Sequence, residues 1–139
     1  MTNKYSGRQF ETDQVHYVRK NITFADIGTT VSIGWVPPKA TMIRGGVHIT
    51  TAFDAGAKTL DIGFRNAPGG ETDDPNAYAT LLTLAAVGVI PTDEMASTTP
   101  VALSEGAEIT GSIVSVAATA GAAVVWMEYI VDNDGDLTA

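Results

Sequence analysis

The sequence predicts an all-β fold: an antiparallel β-sandwich or jelly roll of about seven or eight strands behind an extended N-terminal arm. Three observations carry this. Apolar residues alternate with polar ones at period two through most segments after residue 14, as in half-buried strands. Turn-forming Gly, Pro, Asp and Asn recur about every 8–12 residues, too closely for βαβ units. Of the 139 residues 45% are hydrophobic, ample for one core, and only 17% are charged, against roughly 25% in an average soluble protein. The outward faces are therefore largely neutral Thr, Ala and Ser.

Residues 1–14 are polar and without periodicity, so they read as an arm, with 15–139 as the sandwich domain. Residues 15–24 (VHYVRKNITF) are rich in strand formers. In residues 29–36, Val31, Ile33 and Trp35 point one way and Thr30, Ser32 and Gly34 the other, until Pro37 and Pro38 stop the strand. A strand begins near Met42, is interrupted at Gly45-Gly46 by an expected bulge, and resumes with Val47, Ile49, Thr51 and Phe53 on one face. Residues 54–58 read as a hairpin loop returning into a strand with Leu60, Ile62 and Phe64 inward. The region 66–99 reads as a surface excursion: a polar loop, then a short helix or loop near 74–90. Asp74 suits an N-cap and Pro75 a first helical position, although the threonines in 76–84 leave a strand open. Ser104-Glu105-Gly106 marks a tight turn, and Ile109, Gly111 and Ile113 alternate beyond it. The last strand, VVWMEYIVD, is apolar on both faces except for Glu128. Such a strand is central in its sheet, or is covered on one side by a partner.

The formal net charge is −8, from 8 Lys and Arg against 16 Asp and Glu, and no basic residue follows Arg65. An acidic chain is a poor ligand for nucleic acid, whose phosphates call for Lys and Arg. There is no cysteine, which excludes disulfide frameworks, zinc ribbons, iron–sulfur sites and thiol nucleophiles. The longest apolar run falls short of the ~20 residues of a membrane-spanning helix, and the first residues have no apolar core of a signal peptide.

Catalytic signatures are weak. His16 and His48 both lie on expected strands, and Ser112 or Ser115 would have to converge with them and an acid to form a triad. No G-x-S-x-G elbow is present. Asp132, Asp134 and Asp136 alternate as calcium ligands do, but Gly135 is misplaced for the loop and no bidentate glutamate follows. Glu71, Asp73 and Asp74 form a similar solvated cluster. Gly69-Gly70 lacks the lysine of a phosphate loop. No catalytic, metal or cofactor site is expected, and no small-molecule substrate.

Three stretches carry a resemblance: TTVSIGWVPPKATMIRGGVHITTAF, its return DAGAKTLDIGF, and the closing WMEYIVDND, with Asp74-Pro75-Asn76-Ala77-Tyr78 and Glu128-Tyr129 at matching places. Over about residues 29–132 this layout resembles the head decoration (cement) proteins of tailed bacteriophages. The resemblance implies a non-enzymatic virion protein on the outer capsid surface, a homotrimer that binds the major capsid protein and bridges neighbouring capsomers. Within that frame Tyr5, Arg8 and Phe10 of the arm are expected to contact the capsid, and Trp126 and Tyr129 to serve a subunit interface or the core. The alternatives are a tail or fibre-base adaptor of the same build, and a carbohydrate-binding module with Trp35 or Tyr78 as stacking platform.

Overall fold

The computed structural model describes residues 15–54, 58–65, 72–94, 102–103, 106–114 and 118–131. They form an antiparallel β-sandwich of two sheets. The strands are β1 (His16–Thr23), β2 (Thr30–Val36), β3 (Ala40–Thr51), β4 (Thr59–Arg65), β5 (Asp74–Thr83), β6 (Gly88–Pro91), β7 (Ala102–Leu103), β8 (Ala107–Val114) and β9 (Ala122–Val131). The first sheet has the order β1-β9-β3-β6, with β7 also on β3, and the second has the order β2-β8-β4-β5. A single 3-10 turn at Phe24–Asp26 follows β1, held by a capping box between Thr23 and Asp26.

The core lies between the sheets. Ile22, Val47, Ile49, Val125 and Met127 enter it from the first sheet, and Leu60, Ile62, Phe64, Ile109 and Ile113 from the second. In β9, Ala123, Val125 and Met127 are buried while the residues between them are half-buried. The strand is hydrogen-bonded to β1 on one side and β3 on the other, which accounts for its apolar character as a central strand.

Bulges account for most departures from the simple alternation. A register shift between Ser32 and Gly34 leaves Ile33 as an extra residue in β2. The faces therefore swap beyond it: Ile33 and Val36 are buried, and Trp35, expected inward, is 60% exposed. Gly34 then faces the other sheet, where an added Cβ would lie 2.7 Å from Val18 Cγ1. In β3 the register shifts between Met42 and Arg44, just before the glycine pair, and again between Ile49 and Thr51, so Thr51 turns to solvent while Phe53 stays buried.

The hairpin expected across 54–58 does not form. β3 belongs to the first sheet and β4 to the second, so the connection crosses between layers. Two-layer packing of β3 and β4 wins over a local turn because each strand has an apolar face to bury. Asp54 pins this crossing. Its carboxylate accepts hydrogen bonds from Thr119 N–H (2.7 Å), Thr119 Oγ1 (2.6 Å) and Ala120 N–H (2.9 Å), tying it to the segment before β9.

The region 66–99 is also corrected. Its described part is no excursion and contains no helix: β5 is an edge strand of the second sheet, and β6 an edge strand of the first. Tyr78, Ala79, Leu82 and Leu84 are buried. Their spacing imitates a helical face because β5 bulges outward between Ala79 and Leu82, which pair with Ile62 and Leu60. Asp74 Oδ1 accepts the Asn76 N–H (3.3 Å) at the start of β5, not as a helix cap. Pro75 is tolerated on an edge strand.

Two consequences are testable. The three donors, the Thr119 hydroxyl first, hold the Asp54 carboxyl down at about 2. A carboxyl whose folded value is depressed stabilises the fold above its unfolded value of about 3.9, and that contribution disappears as pH falls from there through the folded value. Asp54→Asn is expected to lower the thermal midpoint by a few degrees at pH 7, with the gap from the parent narrowing as pH falls below about 4 toward about 2; thermal melts across pH 2–7 check it. Tyr78 is fully buried and its hydroxyl has no hydrogen-bond partner among the described residues. Tyr78→Phe is therefore expected to be neutral or stabilising by up to about 1 kcal/mol in urea unfolding.

Candidate interaction surface

The groups considered for chemistry do not converge. His16 pairs in register with Tyr129 and His48 with Val124. Positions 124 and 129 of an uninterrupted strand lie on opposite faces, so the two imidazoles are separated by the sheet. The His16 ring stacks on Tyr129 with centroids 5.5 Å apart. Ser112 Oγ lies 3.0 Å from Thr30 Oγ1 on the second sheet. Among the described residues, no group of three or more His, Asp or Glu is arranged to hold a metal ion. Glu71, Ser115 and 132–136 lie outside the described residues, as do Tyr5, Arg8 and Phe10.

Tyr129 is half-buried and packs against the core, and burial raises its phenol above the ordinary value. Trp126 lies on the other side of β9, on the outer face of the first sheet. Register places Arg19 of β1 and Gly46 of β3 beside it. Gly46 is required there: an added Cβ would meet Ile90 O at 2.5 Å and the far edge of the indole at 3.0 Å. The missing side chain lets the Trp126 ring lie down across β3. The result is an open depression lined by Tyr17, Arg19, His48, Val124 and Trp126.

This face joins apolar side chains to the guanidinium of Arg19. Tyr17 is 64% exposed and Val89, in register with His48, is 62% exposed. Arg19 donates to the neutral Asn21 Oδ1 at 3.2 Å. One row away, Arg44 is ion-paired with Glu128, whose carboxylate raises the guanidinium pKa. Of the depression's residues, Trp126 is the one the sequence marks for an interface or the core; Tyr17 and Arg19, two apart on β1, share one face by strand periodicity, and the β1–β9 register brings that face beside Trp126.

The outer face of the second sheet differs. Trp35 stands across from Glu108, which is 7% exposed and bonded to Arg65 Nε at 2.6 Å. At its β5 edge, Leu81 is 61% exposed at a φ of 56°, an uncommon backbone state for leucine. Asp61 Oδ1 accepts the Leu81 N–H at 2.7 Å, and Asp93 Oδ1 the Thr80 N–H at 3.2 Å. An exposed apolar side chain thus sits on a bulge whose N–H groups are held by two carboxylates. Tyr78 is fully buried, which removes it as a sugar-stacking platform.

No family model and no curated protein matches the chain. Three solved structures share its fold. A chain in the capsid of Ralstonia phage GP4 superposes with a TM-score of 0.64 at 18% identity, over 86% of this chain and 86% of that one. A chain in the acidic stable capsid structure of Helicobacter pylori bacteriophage KHP30 gives 0.63 at 13% identity, over 84% and 87%. A chain in the cyanophage Pam1 capsid asymmetric unit gives 0.60 at 14% identity, over 85% and 85%.

Proposed function

We propose that the chain is a structural virion protein that binds the outer surface of a phage head and reinforces it, without catalysis, by bridging neighbouring capsomers as a homotrimer. The observation that carries this reading is the shared fold: chains of matched length in three phage capsid structures have the same two-sheet sandwich, covering 84–86% of this one. The surface fits the role. A binding protein needs an exposed face on which apolar rings and charges stand together, and the depression around Trp126 supplies one.

Bridging gains its strength from multivalency. Each contact can be weak, yet a trimer that touches several capsomers is held by all of them, and linked contacts raise avidity by about 10²–10⁴. Cyclic symmetry lets one patch serve every copy. In this reading the arm, 1–14, reaches the major capsid protein. Arg8 offers a charge-assisted hydrogen bond, and Tyr5 and Phe10 offer rings to fill pockets. The chain's acidic balance keeps it from the packaged genome and suits an outer position.

Cosedimentation with expanded heads stripped of the protein tests the proposal. The full chain is expected to pellet with the heads and to slow their rupture on heating. Deleting residues 1–14 is expected to weaken binding by about tenfold or more through lost anchors. Failure of the full chain to bind would reject the shell role; unchanged binding of the truncated chain would reject only the arm's part in it.

A further inference from the structure

We infer that the depression on the outer face of the first sheet receives the Leu81 bulge of a second copy of this chain. The inference deepens the homotrimer reading above, and rests on it for the number of copies.

The two patches complement each other in polarity and in charge. The depression presents Trp126, Val124 and Tyr17 as apolar walls, with the Arg19 guanidinium and the His48 ring among them. The bulge presents an exposed leucine side chain and the carboxylates of Asp61 and Asp93, each anchored by a backbone N–H of the bulge. Leucine inserted against Trp126 would bring the two carboxylates toward the Arg19 guanidinium. A cation facing carboxylates around an apolar anchor favours this pairing over association of two acidic edges.

The bulge is costly to keep. Leucine at positive φ carries backbone strain, and Asp61 and Asp93 hold it there. An exposed apolar side chain so held serves no purpose in the core, which it does not touch, and serves a contact well. The two patches are different surfaces, so the contact is heterologous and leaves the pair with one free patch of each kind, on different copies. One patch lies on a sheet face and the other on the edge of the opposite sheet. In the homotrimer proposed above, three such contacts close into a ring.

The absence of cysteine permits a direct test, because introduced thiols are then the only ones. Purified full-length Leu81→Cys and Val124→Cys chains are mixed under mild oxidation, and disulfide-linked dimer is measured on non-reducing gels. Linkage is expected to run several-fold faster than in a mixture of Val114→Cys, another exposed position, with Val124→Cys. Adding Arg19→Glu to the Val124→Cys chain is expected to slow it. The Leu81→Cys/Val124→Cys chain is expected to give a ladder that ends at a closed species. Linkage no faster than the Val114 control would overturn the inference. So would rapid intrachain linkage in a Phe10→Cys/Val124→Cys chain that forms no intermolecular link, since the arm would then fill the depression. No capsid enters the assay, so failure here leaves head binding standing, and failed head binding leaves this contact standing.

Discussion

The fold depends on the desolvation of β9 and β8, each an internal strand of its sheet. Each is hydrogen-bonded along both edges, β9 between β1 and β3 and β8 between β2 and β4. A buried backbone group without a partner costs as much as a lost hydrogen bond, so both flanking strands must be in register before either is buried. That requirement explains why consecutive strands mostly alternate between layers and why local hairpins are scarce. It also explains the small residues at tight places. Gly34 admits Val18 from the opposite sheet, and Gly46 admits the Trp126 ring beside β6. Asp54, bonded to both Thr119 and Ala120, fastens the crossing between β3 and β4 to the approach of β9.

Much of this was legible in the residues. The alternation of β2, β4 and β8 and the two-sided apolar character of β9 gave the sandwich class, because strand periodicity is local information. Two of the misreadings have one physical source. A bulge adds a residue on one strand only and exchanges its faces, and nothing in a composition window marks where it falls. It turned Trp35 outward, and it spaced Tyr78, Ala79 and Leu82 like a helix. The 54–58 turn looked like a hairpin because a loop's sequence does not state which layer its second strand joins.

The surface was harder to read than the core. Trp126 was marked by its strand's surplus of apolar residues, but Arg19, His48 and Val124 come together only through the register of β1, β9 and β3. The Leu81 knob depends on two carboxylates from different segments, Asp61 and Asp93. Such sites are made by long-range pairing. A strand pattern places each residue on a face without saying which neighbours it meets there. The proposed role follows the same logic: a rigid sandwich holds unlike patches at fixed angles, and adhesion between copies and to a shell needs little else.

Cryo-electron microscopy of purified particles tests the central claim most directly, since it shows whether the protein is present and where. The expected result is density for a two-sheet sandwich on the outside of the head, repeated at positions where capsomers meet and clustered in threes. Density of this shape confined to the tail, or particles that carry none of the protein, would contradict it.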